Sequence, residues 1–182
     1  MTARFKGFTL VELLIVIAII GVLAVVVLVA INPVEQLAKT RDSGRISTVT
    51  QVGHALQAYY TSHATQTNAW PGELTWSDDL TVSGELSTFP SGIGYPASFT
   101  VCAENDEPDG GTNIPTYCYD WDSTASDYGS IVYSRMESNN QNSKCGANMA
   151  FALFSTEDGR GGIVCSAGAD LNPAAAGGWA YQ

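Results

Sequence analysis

Residues 8–31 read FTLVELLIVIAIIGVLAVVVLVAI, an apolar run that only Thr9, Glu12 and Gly21 interrupt. A helix of this length reaches roughly 36 Å, which exceeds the roughly 30 Å hydrocarbon core of a bilayer. We therefore predict a membrane-spanning helix over residues 8–31. A secretory signal peptide fits less well, because its apolar region is about 7–15 residues long and ends in a small-residue cleavage site. Here the run ends in Asn32-Pro33.

The chain has 182 residues and a net charge of -10, and this charge is unevenly distributed. Residues 1–63 carry 5 basic and 3 acidic side chains, whereas residues 64–182 carry 3 basic and 15 acidic ones. The first third is thus +2 and the remainder -12. Because an acidic surface repels phosphate backbones, this distribution disfavours nucleic acid as a partner of the C-terminal part.

The segment after the apolar run again has helical periodicity. Pro33 cannot donate a helical hydrogen bond, so we predict a kink there rather than a straight rod. Apolar residues then recur at spacings close to three and four as far as Tyr60, which predicts an amphipathic helix over residues 34–63. The polar stretch 39–45 interrupts the apolar stripe and includes Gly44, which weakens a helix. We expect this stretch to be a flexible neck.

Residues 64–182 have the composition of a small globular head. Serine, threonine, glycine and asparagine dominate, and short alternating runs appear. The predicted strands are Thr116–Asp122, Ser130–Glu137, Asn148–Ser155 and Gly161–Ala167, with turns at 123–128 and 157–159. A short helix is predicted near Ser77–Leu86. The expected fold is therefore α+β, with a long N-terminal helix, first transmembrane and then amphipathic, packed on a small antiparallel sheet.

All four cysteines lie in the acidic part, without the C-x-x-C pair or nearby histidine that would indicate zinc. We predict two disulfides formed in an oxidising compartment, which places the head outside the cytoplasm. Four reduced thiols in a cytosolic domain are the alternative. Three connectivities are open. We choose Cys102 with Cys118 and Cys145 with Cys165, because these pairs close short loops between neighbouring hairpin strands.

Residues 6–12 read KGFTLVE, in which a basic leader and a glycine precede an aromatic residue that opens the apolar helix. This junction resembles the N-terminus of type IV pilins and type II secretion pseudopilins, the prepilins with a class III signal peptide. The similarity covers residues 1 to about 60, where the amphipathic half of the stem also looks pilin-like. The head is similar only in class and element order.

The resemblance implies a defined maturation and assembly route. Residues 1–7 would be a leader, residues 8–63 the stem helix and residues 64–182 an extracellular head. A prepilin peptidase would cut after Gly7 and N-methylate Phe8 at the cytoplasmic face. The single-pass precursor, held in the cytoplasmic-membrane bilayer, would then polymerise into a helical homopolymer with the help of an inner-membrane assembly platform. The mature form would lie in an extracellular surface filament.

Glu12 is the only charge inside the span and therefore needs a reason. A carboxylate in the bilayer centre costs about 2.5–3.5 kcal/mol, and a charge retained there is a functional-site hypothesis by default. The ammonium of Phe8 on a neighbouring subunit is a partner at the right depth. We predict that Phe8 and Glu12 form a filament-assembly contact. A protonated Glu12 near the membrane interface, with no role, is the alternative.

The sequence is compatible with three classes of function. The first is a structural subunit of a type IV pilus or related filament. The second is a minor or tip adhesive pilin, or a secretion or competence pseudopilin. The third is a single-span membrane protein that does not polymerise. An enzyme is not expected, because the sequence has no G-x-S-x-G, H-E-x-x-H or P-loop motif.

The head offers two weaker features. Residues 105–109 and 120–127 cluster oxygen ligands of the kind that calcium uses, but the second stretch lacks the mid-loop glycine and terminal glutamate of an EF-hand. We expect no cofactor, with calcium as the alternative. The tryptophans could form a sugar-binding or surface-binding patch, but we predict that they pack in the core or between subunits. These residues are Trp70, Trp76, Trp121 and Trp179.

Overall fold

The structure is a computed structural model of the chain, divided into two compact units, Met1–Leu37 and Ala38–Gln182. The residues that it describes are 7–64, 69–95, 116–121, 129–168, 171, 173 and 179–182.

The first helix, α1, spans Leu10–Ile31, and none of its 22 residues is buried. It is the one helix in the described part of the chain that is long and apolar enough to cross a membrane. The predicted span over residues 8–31 is therefore helical from Leu10 onward. Its apolar side chains are exposed in the part of the chain that the structure describes.

The second helix, α2, spans Pro33–His63, and Asn32 alone separates it from α1. Asn32 has φ 45° and ψ 77°, a left-handed conformation that asparagine tolerates better than most residues. Pro33 occupies the first position of α2, where its missing N–H sacrifices no helical bond. The N–H of Glu35 donates to Asn32 Oδ1 at 3.4 Å. The predicted kink at Pro33 is thus a break at Asn32, and the single predicted stem helix is two helices.

The head contains a four-stranded antiparallel sheet in the order β1-β2-β3-β4. Its strands are β1 (Cys118–Trp121), β2 (Ser130–Arg135), β3 (Met149–Ser155) and β4 (Arg160–Ser166). All four coincide with predicted strands, which confirms the α+β class. The predicted turn at 157–159 joins β3 to β4, whereas the predicted turn at 123–128 lies outside the described residues.

Three short helical segments accompany the sheet. The predicted short helix is present as α3 over Trp76–Val82. Between β2 and β3 the chain forms α4 over Asn139–Asn142 and then a 3-10 turn over Ser143–Cys145. Neither of the last two was predicted, because a single polar turn has no apolar periodicity to reveal it.

The second half of α2 packs against one face of the sheet. Its buried residues Val49, Val52 and Leu56 belong to the same core cluster as Ala152 and Phe154 of β3. Alternate residues of β3 point to this face, as the two-residue period of a strand requires. The approach is closest at Gly53, where a Cβ atom would lie 2.2 Å from Phe154 Cγ. The helix therefore lies this close to the sheet because position 53 has no side chain.

The opposite face of the sheet has its own core. Buried residues here include Ile131, Tyr133, Phe151 and Leu153. Tyr181 packs against this cluster, and its backbone pairs with Val164 of β4 in an isolated antiparallel bridge. The sheet is therefore covered on both faces.

A disulfide joins Cys145 to Cys165, as the short-loop pairing predicts, with Cα atoms 5.4 Å apart. It links the 3-10 turn to β4. Cys118 is also disulfide-bonded. Cys102 lies outside the described residues, so its pairing with Cys118 stays a prediction.

Candidate functional site at the start of the apolar helix

Thr9 and Glu12 form a reciprocal cap at the start of α1. Thr9 has extended backbone, with φ -82° and ψ 152°, and its Oγ1 accepts a hydrogen bond from the N–H of Glu12 at 3.2 Å. In return, Glu12 Oε2 accepts from the N–H of Thr9 at 2.9 Å and from its hydroxyl at 2.8 Å. Such a capping box satisfies backbone donors that the first helical turn leaves unpaired. The helix begins at Leu10 for this reason.

The cap gives Glu12 a partner within its own chain. Oε2 accepts both of the hydrogen bonds from Thr9, and no described residue donates to Oε1. A carboxylate offers about four lone-pair sites. Glu12 can therefore keep its cap to Thr9 and still accept a hydrogen bond from a donor on another molecule.

Gly7 and Phe8 precede the helix and lie in uncovered, non-helical backbone. Phe8 is 79% exposed, and no atom lies within 4 Å of the place where a Cβ on Gly7 would stand. Nothing in the described packing requires glycine at position 7. Gly7 therefore has no packing role among the described residues, and both Gly7 and Phe8 are exposed.

A buried network of charges joins residues 41–45 of α2 to the rest of the head unit. Asp42 and Arg45 are 2% and 0% exposed, and Arg45 Nη1 donates to Asp42 Oδ1 at 2.8 Å. Asp42 also accepts from the backbone N–H groups of Glu137 and Ser138, each at 2.8 Å. Arg41 Nε donates to Glu137 Oε2 at 2.8 Å. The network joins α2 to the loop that follows β2.

Arg45 makes further contacts that complete its burial. Its Nη2 donates to the backbone oxygens of Ile93 and Gly94, both at 3.3 Å. Its guanidinium lies 3.9 Å from the centre of the Tyr95 ring, a cation–π contact. A buried charge is tolerated only when it is paired and hydrogen-bonded, and Arg45 has both kinds of partner.

This environment shifts the pKa values of two neighbours. The hydrogen bond from Arg41 lowers the pKa of the Glu137 carboxyl, with a further contribution from the charge of Arg45. Burial raises the pKa of Tyr95 to about 12. Glu137 is therefore ionised and Tyr95 neutral at physiological pH.

The network contradicts the predicted flexible neck at residues 39–45. These residues are continuous helix within α2. Gly44 lies so close to another segment that a Cβ there would stand 2.6 Å from Ile93 Cδ1. Arg41, Asp42 and Arg45 of this stretch pair with residues of the head. Lys39 is exposed.

The remaining candidate features from the sequence are the four tryptophans and the two acidic stretches. Trp76 is fully buried and Trp70, Trp121 and Trp179 are partly buried against the two core clusters, so the prediction that they pack is confirmed. Residues 105–109 and 122–127 lie outside the described residues. Within the described ranges, no group of three or more His, Cys, Asp or Glu side chains is placed to hold a metal ion.

Comparison with known proteins identifies the N-terminal segment. The family model described as the prokaryotic N-terminal methylation motif matches residues 2–28, which cover the leader and most of α1. No curated protein and no solved structure gives a match. The chain thus carries the class III signal peptide of type IV pilins and pseudopilins. The motif supports a pilin-like or pseudopilin precursor, and the proteins that share it form a structural class.

The same motif bears on maturation and location. It implies processing by prepilin peptidase and assembly into a pilus-like filament. Together with the apolar helix α1, it fits a membrane-anchored precursor with an exported head.

Proposed function

We propose that the chain is a structural subunit of a type IV pilus or a related filament. It is cleaved after Gly7, N-methylated at Phe8 and polymerised through α1. The observation that carries the proposal is the complete exposure of α1, which has 22 residues and no buried side chain. Such a helix needs lipid before assembly and neighbouring helices after it.

Glu12 supplies the specificity that apolar contacts lack. Lipid and neighbouring stems are equally apolar, so hydrophobicity alone does not favour the filament over the membrane pool. Cleavage after Gly7 creates a new ammonium on Phe8, and Oε1 of Glu12 is open to a donor from another subunit. An unpaired ammonium buried among stems would be strongly destabilising. The Glu12–Phe8 pair therefore fixes the register of one stem helix relative to its neighbour.

A second candidate is a single-span protein that does not polymerise. The capping box favours it, because Thr9 gives Oε2 of Glu12 two hydrogen bonds without any neighbouring subunit. A minor or tip pilin, or a secretion or competence pseudopilin, would share the same helix chemistry and differ from a major subunit in abundance. The inner-membrane assembly platform would be a partner of every polymerising version.

Three substitutions at Glu12 test whether its charge is needed for filament assembly. Glu12→Val removes the charge and the cap, whereas Glu12→Gln removes the charge but keeps an oxygen that can cap Thr9, since glutamine also serves in capping boxes. We expect both variants to be inserted and cleaved, and both to lose sheared filaments. Glu12→Asp keeps the charge at a shorter reach and should assemble partially. Normal filament yield from cleaved Glu12→Gln would remove the proposed role of the charge.

A further inference from the structure

An open pocket of about 400 Å³ lies in the head beside the last turns of α2. This volume is at the lower end of the range for small-molecule sites. It is lined by Gln57, Tyr60, Thr61, Trp70, Gly129, Thr156 and Glu157. None of these residues belongs to α1 or to the buried charge network.

Two stacked aromatic rings form one wall of the pocket. The ring centres of Tyr60 and Trp70 are 4.4 Å apart and their planes differ by 25°. Tyr60 is 37% exposed, so this wall is open to a ligand. The stacking holds both rings in place, which reduces the ordering cost of binding. Tryptophan presents the strongest aromatic face for a cation.

The charges around the pocket favour a positive ligand. Glu157 is exposed and is the only charged residue among the described lining residues. Residues 64–182 as a whole carry a net charge of -12. A surface of this sign concentrates cations and repels phosphates and carboxylates.

The polar edge of the pocket is fixed by hydrogen bonds. Thr156 donates its N–H to the Ser130 oxygen at 3.0 Å, and its Oγ1 accepts from the Ser130 N–H at 2.7 Å. Gly129 has φ 64°, and a Cβ on it would stand 2.7 Å from Thr156 Oγ1. The edge that carries Glu157 is therefore preformed rather than created by a ligand.

We propose that this pocket binds a small alkylammonium ligand, with the cation over the Tyr60–Trp70 wall and paired electrostatically with Glu157. An aromatic face and a carboxylate together satisfy a compact organic cation, whose alkyl groups tolerate the apolar wall. The site is confined to the head, so it does not depend on polymerisation. It adds a binding activity to the proposed structural role.

Choline and its neutral isostere 3,3-dimethylbutan-1-ol test the proposal directly. They have nearly the same shape, but only choline carries a positive charge. Binding to the full chain in polyoxyethylene micelles, which contain neither sugar nor ammonium, is followed by the indole NMR signal of Trp70. We expect choline to bind about threefold to thirtyfold more tightly than the isostere. Equal binding of the two compounds, or no binding of choline, would overturn the proposal.

Variants of the lining residues complete the test. Trp70→Leu, followed by the ring signals of Tyr60 because the indole is lost, should abolish choline binding. Glu157→Gln, followed by Trp70, should weaken it by up to about fivefold. Because Trp70 also contacts the core, the exposed Glu157 provides the variant that leaves folding intact. Asp78→Asn is the matched control, because it also removes one negative charge from an exposed residue, here on α3. Equal weakening by Glu157→Gln and Asp78→Asn would mean a diffuse charge effect and would exclude this site.

Discussion

The side chain of Glu12 bonds back to Thr9, three residues earlier, so the one charge of α1 also determines where that helix begins. The N–H of Thr9 donates to Glu12 Oε2 at 2.9 Å, and the N–H of Glu12 donates to Thr9 Oγ1 at 3.2 Å. The carboxylate therefore has two separable tasks, the cap within the chain and the proposed contact with Phe8 of a neighbour.

Thr9→Val separates these two tasks. It removes the capping hydroxyl but leaves the Glu12 charge, and loss of an N-cap costs about 0.5–2 kcal/mol of helix stability. We expect more fraying at Leu10, normal cleavage and near-normal filament yield by counts of sheared filaments. Glu12→Gln is the reciprocal control. If Thr9→Val lost filaments as completely as Glu12→Gln, the cap rather than the charge would be the assembly determinant.

Gly53→Ala should destabilise the head. The added methyl would lie 2.2 Å from Phe154 Cγ, so α2 or the ring must move. Overpacking of this kind costs about 1–3 kcal/mol. The measurement is the free energy of unfolding of the full chain in non-ionic detergent, followed by tryptophan fluorescence. Gly94→Ala is the control, because no atom lies within 4 Å of its new Cβ. A stable Gly53→Ala variant would contradict the described packing of α2 on the sheet.

Asp42→Ala should be more damaging than its single charge suggests. The substitution removes the carboxylate that pairs with the buried Arg45 guanidinium. It also removes the acceptor of the backbone N–H groups of Glu137 and Ser138. Breaking a buried pair from one side costs about 3–5 kcal/mol. Arg41→Met, which removes a partner 34% exposed in its side chain, should cost about 1 kcal/mol or less. The same unfolding measurement checks both, and similar losses from the two variants would argue against a buried network.

The Glu137 carboxylate should make head stability depend on pH. Its pKa in the folded state lies below the ordinary value of 4.5, because Arg41 and Arg45 favour the ionised form. Its stabilising contribution is therefore present above that ordinary value and is lost as pH falls through the lowered folded value. Unfolding curves of wild type and Glu137→Gln between about pH 7 and pH 3 test this. The variant should lose less stability on acidification, and parallel curves would contradict the assignment.

The sheet could be predicted from the sequence because its signal is local. Strands such as β2 and β3 alternate residues between two buried faces and contain aromatic and branched aliphatic residues. The left-handed Gly129 and Gly159 stand directly before β2 and β4. The apolar run that became α1 is equally local. The residue pattern of each of these elements is therefore enough to predict it.

The charge network could not be predicted in the same way, because its partners are distant in sequence. Asp42 and Arg45 form one ion pair within α2, but their other partners, Ile93 and Glu137, lie 48 and 95 residues further along the chain. In the sequence alone, the stretch around Gly44 looks solvated, because it contains a lysine, two arginines and an aspartate. Only the tertiary structure shows that two of them are buried.

The start of α1 has a sequence signature in Thr9 and Glu12. Threonine followed three residues later by glutamate, directly before an apolar run, is the pattern of a helix start. The predicted span began at Phe8, whereas this pattern places Thr9 outside the helix and begins it at Leu10. The break at Asn32 was only partly predictable, because Asn-Pro indicates a kink without specifying a left-handed residue.

The intact mass of the subunit in sheared filaments is the most direct test of the proposed function. Filaments are sheared from cells that express the chain, purified and dissolved, and the N-terminus is read by mass spectrometry. The account predicts that the chain is present in the filaments and begins at N-methylated Phe8, without residues 1–7. A subunit that begins at Met1 or Thr2, or a chain that stays in the membrane fraction and is absent from filaments, would contradict it.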